Sequence, residues 1–118
     1  VLQREVRRQG IRFFLFRWNG PAIVFASYGP DAAPCEAKLH KLYLRPELHG
    51  RGFGSRLLRA VEADAGSRGF SLIRLQVNKN NARAIAAYQR NGYALREETV
   101  VDIGGGFVMD DYIYEKTL

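Results

Sequence analysis

Three glycines in one short turn of the chain have the spacing of a phosphate-binding loop. Residues 49–55 have the sequence HGRGFGS, and the apolar residues that follow predict a helix starting at Gly54. The first turn of a helix offers backbone N–H groups without intrahelical partners, at the positive end of the helix dipole. Glycine lets a phosphate approach the backbone, and Arg51 and Arg56 add positive charge. We therefore predict that a diphosphate binds to this turn, which comprises His49, Gly50, Arg51, Gly52, Phe53, Gly54 and Ser55.

Two common types of phosphate loop do not fit this turn. A Walker loop requires Gly-Lys-Ser/Thr at the start of the helix, where this chain has Gly52-Phe53-Gly54. A dinucleotide fingerprint counted from Gly50 requires Gly or Ala at position 55. It also requires an acidic residue at the end of the next strand, and that strand ends here in Gln76-Val77-Asn78. A glycine-rich turn that only begins a helix remains as the alternative.

A second motif begins 32 residues after His49, and the two motifs together resemble a known family. This second motif has the form Asn81-x-x-Ala84-x-x-x-Tyr88-x-x-x-Gly92-Tyr93. The pair resembles the GNAT superfamily of N-acetyltransferases, whose acyl-CoA loop has the form Gln/Arg-x-x-Gly-x-Gly/Ala. The segment His49-x-x-Gly52-x-Gly54 departs from that form only at its first position. The resemblance extends over essentially the whole chain from Ile11 onward.

The resemblance implies a cofactor, a reaction and roles for individual residues. The cofactor is acetyl-CoA, which donates its acetyl group to a primary amine of a small molecule or a protein by direct attack in a ternary complex. The backbone of Leu42, Tyr43 and Leu44 would hold the pantetheine arm and the thioester carbonyl. Asn81 would bind the pantetheine amides, and Tyr88 would present its hydroxyl to the departing sulfur.

The group that removes the proton from the amine is not evident from the sequence. Some members of the family carry a glutamate where this chain has Gln76. His40, Asp110 and Asp111 are the substitutes that we consider, each acting directly or through water. No residue is assigned as the base, and no metal ligand is predicted.

The hydrophobic pattern predicts the elements that carry these motifs. Leu2–Gln9 has the charge density of an exposed helix end, and Gly10 is suited to terminate it. Asn19-Gly20 predicts a tight hairpin, and Gly104-Gly105-Gly106 predicts a second one. The predicted strands are 11–18, 22–28, 36–44, 72–77, 93–103 and 107–116, with a helix over 54–68 and another that Asn81 caps and Asn91-Gly92 closes.

These elements predict an α/β fold with a mixed central sheet. The strand 36–44, the helix 54–68 and the strand 72–77 form a crossover unit, whose two strands should pair in parallel. The surrounding hairpins add antiparallel strands. The resemblance makes this picture specific: it implies a mostly antiparallel GNAT-like sheet with a splayed parallel pair and helices on both faces.

Size and composition are consistent with one small enzyme domain. The 118 residues, 47% of them hydrophobic, suffice for a single core, so we expect one acyl-CoA N-acyltransferase domain over 1–118. The family's usual first strand and much of its first helical region have no counterpart, which predicts a truncated start. A lone cysteine favours a reducing compartment, and we expect a cytoplasmic protein without membrane segments.

Charge is unevenly distributed and points to an anionic ligand. Residues 1–60 carry eleven Lys or Arg against four acids, a net +7, and residues 61–118 carry seven against eight, a net −1. Nucleic acid, an anionic membrane surface and a polyphosphate cofactor are all possible ligands for such a field, and charge alone does not choose among them. We find no nucleic-acid-binding motif. The expected partners are therefore acetyl-CoA and an amine acceptor, and a homodimer remains open.

Overall fold

The computed structural model describes residues 2–6, 10–17, 22–45, 50 and 52–118, and gives only the backbone for 2–6, 16 and 22–24. Its elements follow one another along the chain as β1 Leu2–Val6, β2 Arg12–Arg17, β3 Ala22–Pro30, β4 Glu36–Leu44, α1 Phe53–Ser67, β5 Leu72–Asn78, α2 Ala82–Arg90, β6 Ala94–Gly104 and β7 Phe107–Thr117. The described strands form one sheet in the order β1-β2-β3-β4-β5-β7-β6.

The sheet has the mixed character that the sequence predicts. β4 and β5 are parallel, while the other neighbouring strands of the described sheet are antiparallel. The crossover through α1 connects this parallel pair, and β2 pairs antiparallel with β3 as β6 does with β7. Asn19 and Gly20, which predict the first hairpin, lie outside the described residues. Both helices and the strands from β2 onward lie within a few residues of their predicted bounds. The predicted fold class is therefore confirmed.

The N-terminal segment differs from its prediction. Leu2–Val6 is a strand, whereas its charge density predicts the end of a helix. The backbone of this strand pairs antiparallel with β2, with Leu2 opposite Phe16 and Val6 opposite Arg12. Hydrogen bonds to the otherwise unpaired edge of β2 outweigh the weak helix preference of a short charged segment. The helix prediction is wrong for these residues, and residues 7–9 lie outside the described part of the chain.

One apolar core joins the sheet to both described helices. α1 buries the stripe that its periodicity predicts, and β5 buries every second residue because alternate side chains of a strand point to opposite faces. α1 and α2 both contribute to this one core. The expected helices on both faces of the sheet would require a further helix, which the described residues do not include. The buried members of the core are Phe14, Ala26, Tyr28, Ala37, Leu39, Leu57, Leu58, Val61, Ala65, Ile73, Leu75, Val77, Tyr88, Tyr93 and Tyr114.

None of the helices that the structure describes is both long and apolar enough to span a bilayer.

A buried carboxylate on α1 ties that helix to the first strands of the sheet. Asp64 is 8% exposed, and its two oxygens accept hydrogen bonds from the Tyr28 hydroxyl and from Arg12 Nη1, the latter at 2.9 Å. Arg68 lies one turn further along α1 and donates to the Tyr28 hydroxyl at 3.1 Å. Burial and the hydrogen bond to Asp64 raise the pKa of Tyr28 to about 12. This network holds the C-terminal end of α1 against β2 and β3.

Replacing Asp64 with asparagine should destabilise the fold. The change leaves the Arg12 guanidinium without its counter-charge at a site where both side chains are largely shielded from water. We expect the free energy of unfolding to fall by about 3 kcal/mol, as when one member of a buried ion pair is lost. Urea denaturation followed by circular dichroism measures the change.

Glu97→Gln is the matched control because it removes the same charge from an exposed position on β6. Its effect on the free energy of unfolding should stay within about 0.5 kcal/mol. Equal stability of the two variants would contradict the role given to Asp64.

Candidate functional site

A cleft opens between β4 and β5 because the parallel pairing of these strands is short. Only Glu36–Lys38 pair with Leu72–Arg74. β4 then holds one extra residue, His40, relative to its antiparallel partner β3. A β-bulge of this kind bends the strand that contains it. β4 thus leaves β5 beyond Lys38, and a cleft of about 410 Å³ lies where the ladder would have continued.

The walls of this cleft come from both splayed strands and from α2. β4 contributes Leu42 and Tyr43, which the resemblance assigns to the cofactor arm, and β5 contributes Gln76 and Asn78. Beyond Lys38 the edge of β4 that faces the cleft makes no ladder hydrogen bonds with β5. Backbone groups of Leu42 and Tyr43 on that edge can therefore pair with a ligand or with water.

Tyr88 lies where the cleft is closed by α2. Its side chain lines the cleft although the residue is only 8% exposed. Burial raises the pKa of Tyr88 to about 12. The hydroxyl is therefore protonated throughout the neutral range and can act there only as a neutral hydrogen-bond donor or acceptor.

The glycine-rich turn forms the floor of a second cavity of about 800 Å³. Gly50 and Gly52 have φ angles of 82° and 78°, a region that residues with a Cβ seldom adopt. Gly52 is the N-cap of α1 and brings no side chain to cap the helix. A Cβ placed on Gly50, Gly52 or Gly54 would meet no described atom within 4 Å. The turn therefore faces an open space of the size that a diphosphate needs.

Two arginines on α2 face the turn across this cavity, and the sequence analysis missed them. Arg83 and Arg90 both line the cavity, on either side of the small residues Ala86 and Ala87. They are seven residues apart, about two helical turns, so they share one face of α2. That spacing is visible in the sequence, but which face of α2 meets the turn is visible only in the fold.

The other basic residues expected at the turn are less well defined. His49 and Arg51 lie outside the described residues. Arg56 is exposed in the first turn of α1, one turn after the N-cap. Among the described residues it is α2, rather than the turn itself, that brings arginines to the cavity wall.

Leu44 and Asn81 lie where the two cavities approach each other. Leu44 lines the glycine cavity one residue after Tyr43 lines the cleft. Asn81 lines the cleft, and the next residue, Ala82, lines the glycine cavity. The Asn81 side-chain oxygen accepts the Ala84 N–H at 3.2 Å, which confirms the predicted cap of α2. The amide nitrogen of the same side chain remains able to donate to a ligand in the cleft.

Hydrogen bonds tie α1 to the end of α2, to the residues that follow it and to β7. Asn91, at the end of α2, donates from Nδ2 to the Ser55 hydroxyl at 3.0 Å and to the Ala87 carbonyl at 2.8 Å. Glu62 on α1 accepts hydrogen bonds from the Tyr93 hydroxyl and from Lys116 Nζ, each at 2.9 Å. Ser55 thus both lines the cavity and joins its two walls.

The three candidate bases differ in their surroundings. His40 lines the cleft, and partial burial together with the charge of Lys38 lowers its pKa. Asp110 is bound to Lys79 Nζ at 2.7 Å. Asp111 is buried and accepts a hydrogen bond from Gln76 Nε2 at 2.8 Å. Of the three, His40 is the one that is among the lining residues of the cleft.

The bulge at His40 had a signal in the sequence. The apolar residues of the strand, Ala37, Leu39, Leu42 and Leu44, are separated by two, three and two positions. A regular strand keeps a spacing of two, so the step of three marks the extra residue.

Comparison with known proteins gives the same family as the motifs. The chain is 28% identical over 93 residues to an IAA acetyltransferase of Azospirillum brasilense, covering 79% of this chain and 61% of that protein. It is 33% identical over 79 residues to an N-acetyltransferase of Bacillus subtilis, covering 64% and 53% of the two chains. The chain thus spans about half to three fifths of the length of these relatives.

Solved structures share the fold. An IAA acetyltransferase from Bacillus cereus superimposes with a TM-score of 0.82 at 19% identity, over 93% of this chain and 79% of that one. The PaiA N-acetyltransferase of Thermoplasma acidophilum, solved in complex with coenzyme A, has a TM-score of 0.77 at 28% identity, over 92% and 62%. Residues 2–93 also match the model of the acetyltransferase (GNAT) family. The splayed strands, the open glycine turn and this match together show that the chain belongs to the GNAT acetyltransferase family.

Proposed function

We propose that this protein transfers the acetyl group of acetyl-CoA to a primary amine, on a small molecule or a peptide, by direct attack in a ternary complex. The observation that carries the proposal is the splayed cleft leading to a glycine-lined cavity at the start of α1. A cofactor with an extended arm attached to a diphosphate matches these two cavities, with the arm in the cleft and the diphosphate in the glycine cavity. The coenzyme A bound to the related PaiA enzyme supports the choice of cofactor. We further propose that 1–118 is a single domain that acts in the cytoplasm.

The diphosphate would bind at the turn, through backbone N–H groups of Gly50 to Ser55 and through the arginines of α2. Helix N-termini attract anions because unpaired N–H groups and the helix dipole act together there. Arg83 and Arg90 would supply charge-assisted hydrogen bonds from the opposite wall. His49, Arg51 and Phe53 belong to the same proposed site on the strength of the motif alone.

The pantetheine arm would lie along the edge of β4 that faces the cleft. Its amides can pair with backbone groups of Leu42, Tyr43 and Leu44, as a further strand would, because β5 has left that edge. A backbone N–H of this segment would stabilise the negative charge that develops on the thioester oxygen. Asn81 would donate to a pantetheine carbonyl from the opposite wall.

Tyr88 would stabilise the departing thiolate by donating a hydrogen bond to the sulfur. With the pKa of Tyr88 near 12, complete proton transfer to a thiolate of pKa about 8.5 would cost about 5 kcal/mol. Hydrogen bonding without complete transfer has no such cost. We therefore propose that Tyr88 acts as a hydrogen-bond donor and that the thiolate receives its proton from solvent after release.

The acceptor must lose a proton before it attacks. Holding a lysine-like amine of pKa 10.4 in its neutral form at pH 7 costs about 4.6 kcal/mol, whereas an α-amine near 7.8 costs only about 1. His40 is the candidate base on the cleft wall, and its lowered pKa keeps the imidazole neutral and able to accept a proton. We propose His40 as the proton acceptor, directly or through one water.

Gly54→Glu should abolish the binding of acetyl-CoA. Gly54 lines the glycine cavity and has open space around it, so a carboxylate there occupies the phosphate position without a backbone penalty. We expect acetyl-CoA to raise the melting temperature of the unaltered protein and not that of the variant, as differential scanning fluorimetry measures.

Gly66→Glu is the control on the same helix. Gly66 lies at the far end of α1 and also has open space around it. Its variant should keep the full stabilisation by acetyl-CoA. The proposed function would have to be abandoned if saturating acetyl-CoA did not stabilise the unaltered protein.

The double variant Arg83→Gln/Arg90→Gln should weaken acetyl-CoA binding about tenfold at low salt, because two charge-assisted contacts to phosphate are lost. The loss should shrink as ionic strength rises and screens the charges. Isothermal titration calorimetry at two salt concentrations measures both effects. Arg59→Gln, which removes a charge from α1 outside the cavity, is the control, and an equal loss in that variant would refute a local role for α2.

Tyr88→Phe should lower kcat by about a hundredfold with little change in the KM for acetyl-CoA, because the donor to the leaving sulfur is lost while the ring still fills its place. Free-thiol release in stopped assays measures the rate. In the unaltered enzyme, a pKa near 12 predicts no loss of activity from Tyr88 ionisation below about pH 10. An unchanged kcat in Tyr88→Phe would exclude the proposed role.

A further inference from the structure

Asp111 is unusual among the acidic side chains that the structure describes. It is 5% exposed, and its single described hydrogen bond comes from the uncharged amide of Gln76. Each of the other described acids either forms an ion pair with Lys or Arg or is exposed on β6. The paired acids are Asp31, Glu36, Glu62, Asp64, Glu98, Asp110 and Glu115, and the exposed ones are Glu97 and Asp102.

A buried carboxylate without a cation beside it is energetically unfavourable. Loss of hydration disfavours the charge, and one hydrogen bond from a neutral amide offsets only part of that loss. A cation that arrives with the substrate would compensate the carboxylate for its lost hydration. The geometry of Gln76 indicates from which side such a cation would come.

Gln76 connects Asp111 to the cleft, because it donates a hydrogen bond to that carboxylate and is itself a lining residue of the cleft. A carboxylate only accepts hydrogen bonds, so the amide of Gln76 must turn its Nε2 toward Asp111. Its Oε1 then points away from Asp111. Gln76 lines the cleft, as does Asn78, the residue directly opposite Asp111 in the β5–β7 ladder. Oε1 is therefore the atom of the Gln76 amide that can accept a hydrogen bond from a ligand in the cleft, while Nε2 is bound to the Asp111 carboxylate.

We propose that Gln76 and Asp111 together receive the acceptor as an ammonium ion. Gln76 Oε1 accepts an N–H of the incoming amine, and Asp111 is the positioning residue that fixes the amide orientation and supplies the negative charge. This assignment rests on the proposed function and makes it narrower, since the preferred acceptors are amines that are cationic at neutral pH. Gln76 thus has a role of its own at the position where relatives carry a carboxylate.

A steady-state comparison of two acceptors tests the charge. The probes are n-butylamine, which is cationic at pH 7.5, and aniline, which is neutral there. Asp111→Asn should raise the KM for n-butylamine at least tenfold and leave the KM for aniline and for acetyl-CoA within twofold. Glu97→Gln, the exposed control, should change none of these constants. An unchanged KM for n-butylamine in Asp111→Asn would overturn the proposal.

The exchanged pair Gln76→Glu/Asp111→Asn separates electrostatics from simple structural damage. Asparagine at 111 can donate to a glutamate at 76, so the hydrogen bond and the net charge are both restored with their partners reversed. The KM for n-butylamine should return to within about threefold of the original value. A KM that stays as high as in Asp111→Asn would count against the proposal.

Binding measured without turnover keeps this inference separate from the proposed function. Titration of the isotopically labelled protein with n-butylamine should shift the side-chain N–H resonances of Gln76, with about tenfold weaker binding in Asp111→Asn. That result would support the inference even if no acetyl transfer occurred, in which case the proposed function alone would fail. Acetyl transfer without any shift at Gln76 would reject the inference and leave the function standing.

Discussion

The structure depends on the point at which β4 stops pairing with β5. The two strands share only three paired positions before the bulge at His40 bends β4 away. Backbone groups are obligatory hydrogen-bonding groups, so an abandoned sheet edge needs another partner. In the proposed function the amides of the cofactor arm take the place of the backbone amides that a continued β5 ladder would have supplied.

The electrostatics of the two cavities differ because each has its own kind of polar group. The glycine cavity combines a helix N-terminus with Arg83 and Arg90, which suits a diphosphate. The polar residues that line the cleft include His40, Lys41 and Gln76, and Gln76 donates a hydrogen bond to the buried carboxylate of Asp111. In the proposed function the diphosphate of the cofactor binds in the glycine cavity and the cationic acceptor binds in the cleft.

Local features were predictable from the sequence, and features that depend on register or on the packing of distant elements were not. The glycine turn and the Asn81 cap are encoded within a few residues, so their positions were predicted correctly. The helix prediction for Leu2–Val6 was wrong because hydrogen bonding to β2 outweighs the local helix preference of these residues. The contact between Gln76 and Asp111 joins residues 35 positions apart, and only the ladder between β5 and β7 brings them together.

The bond from Asn91 to Ser55 connects the last turn of one helix to the first turn of another. Since both helices wall the same cavity, occupation of that cavity and fraying of the end of α2 cannot be independent events. A cofactor bound between the two helices would stabilise the last turn of α2. It would also stabilise the segment that connects α2 to β6. The β6–β7 hairpin would therefore be attached to a more rigid segment in the cofactor-bound protein than in the free protein.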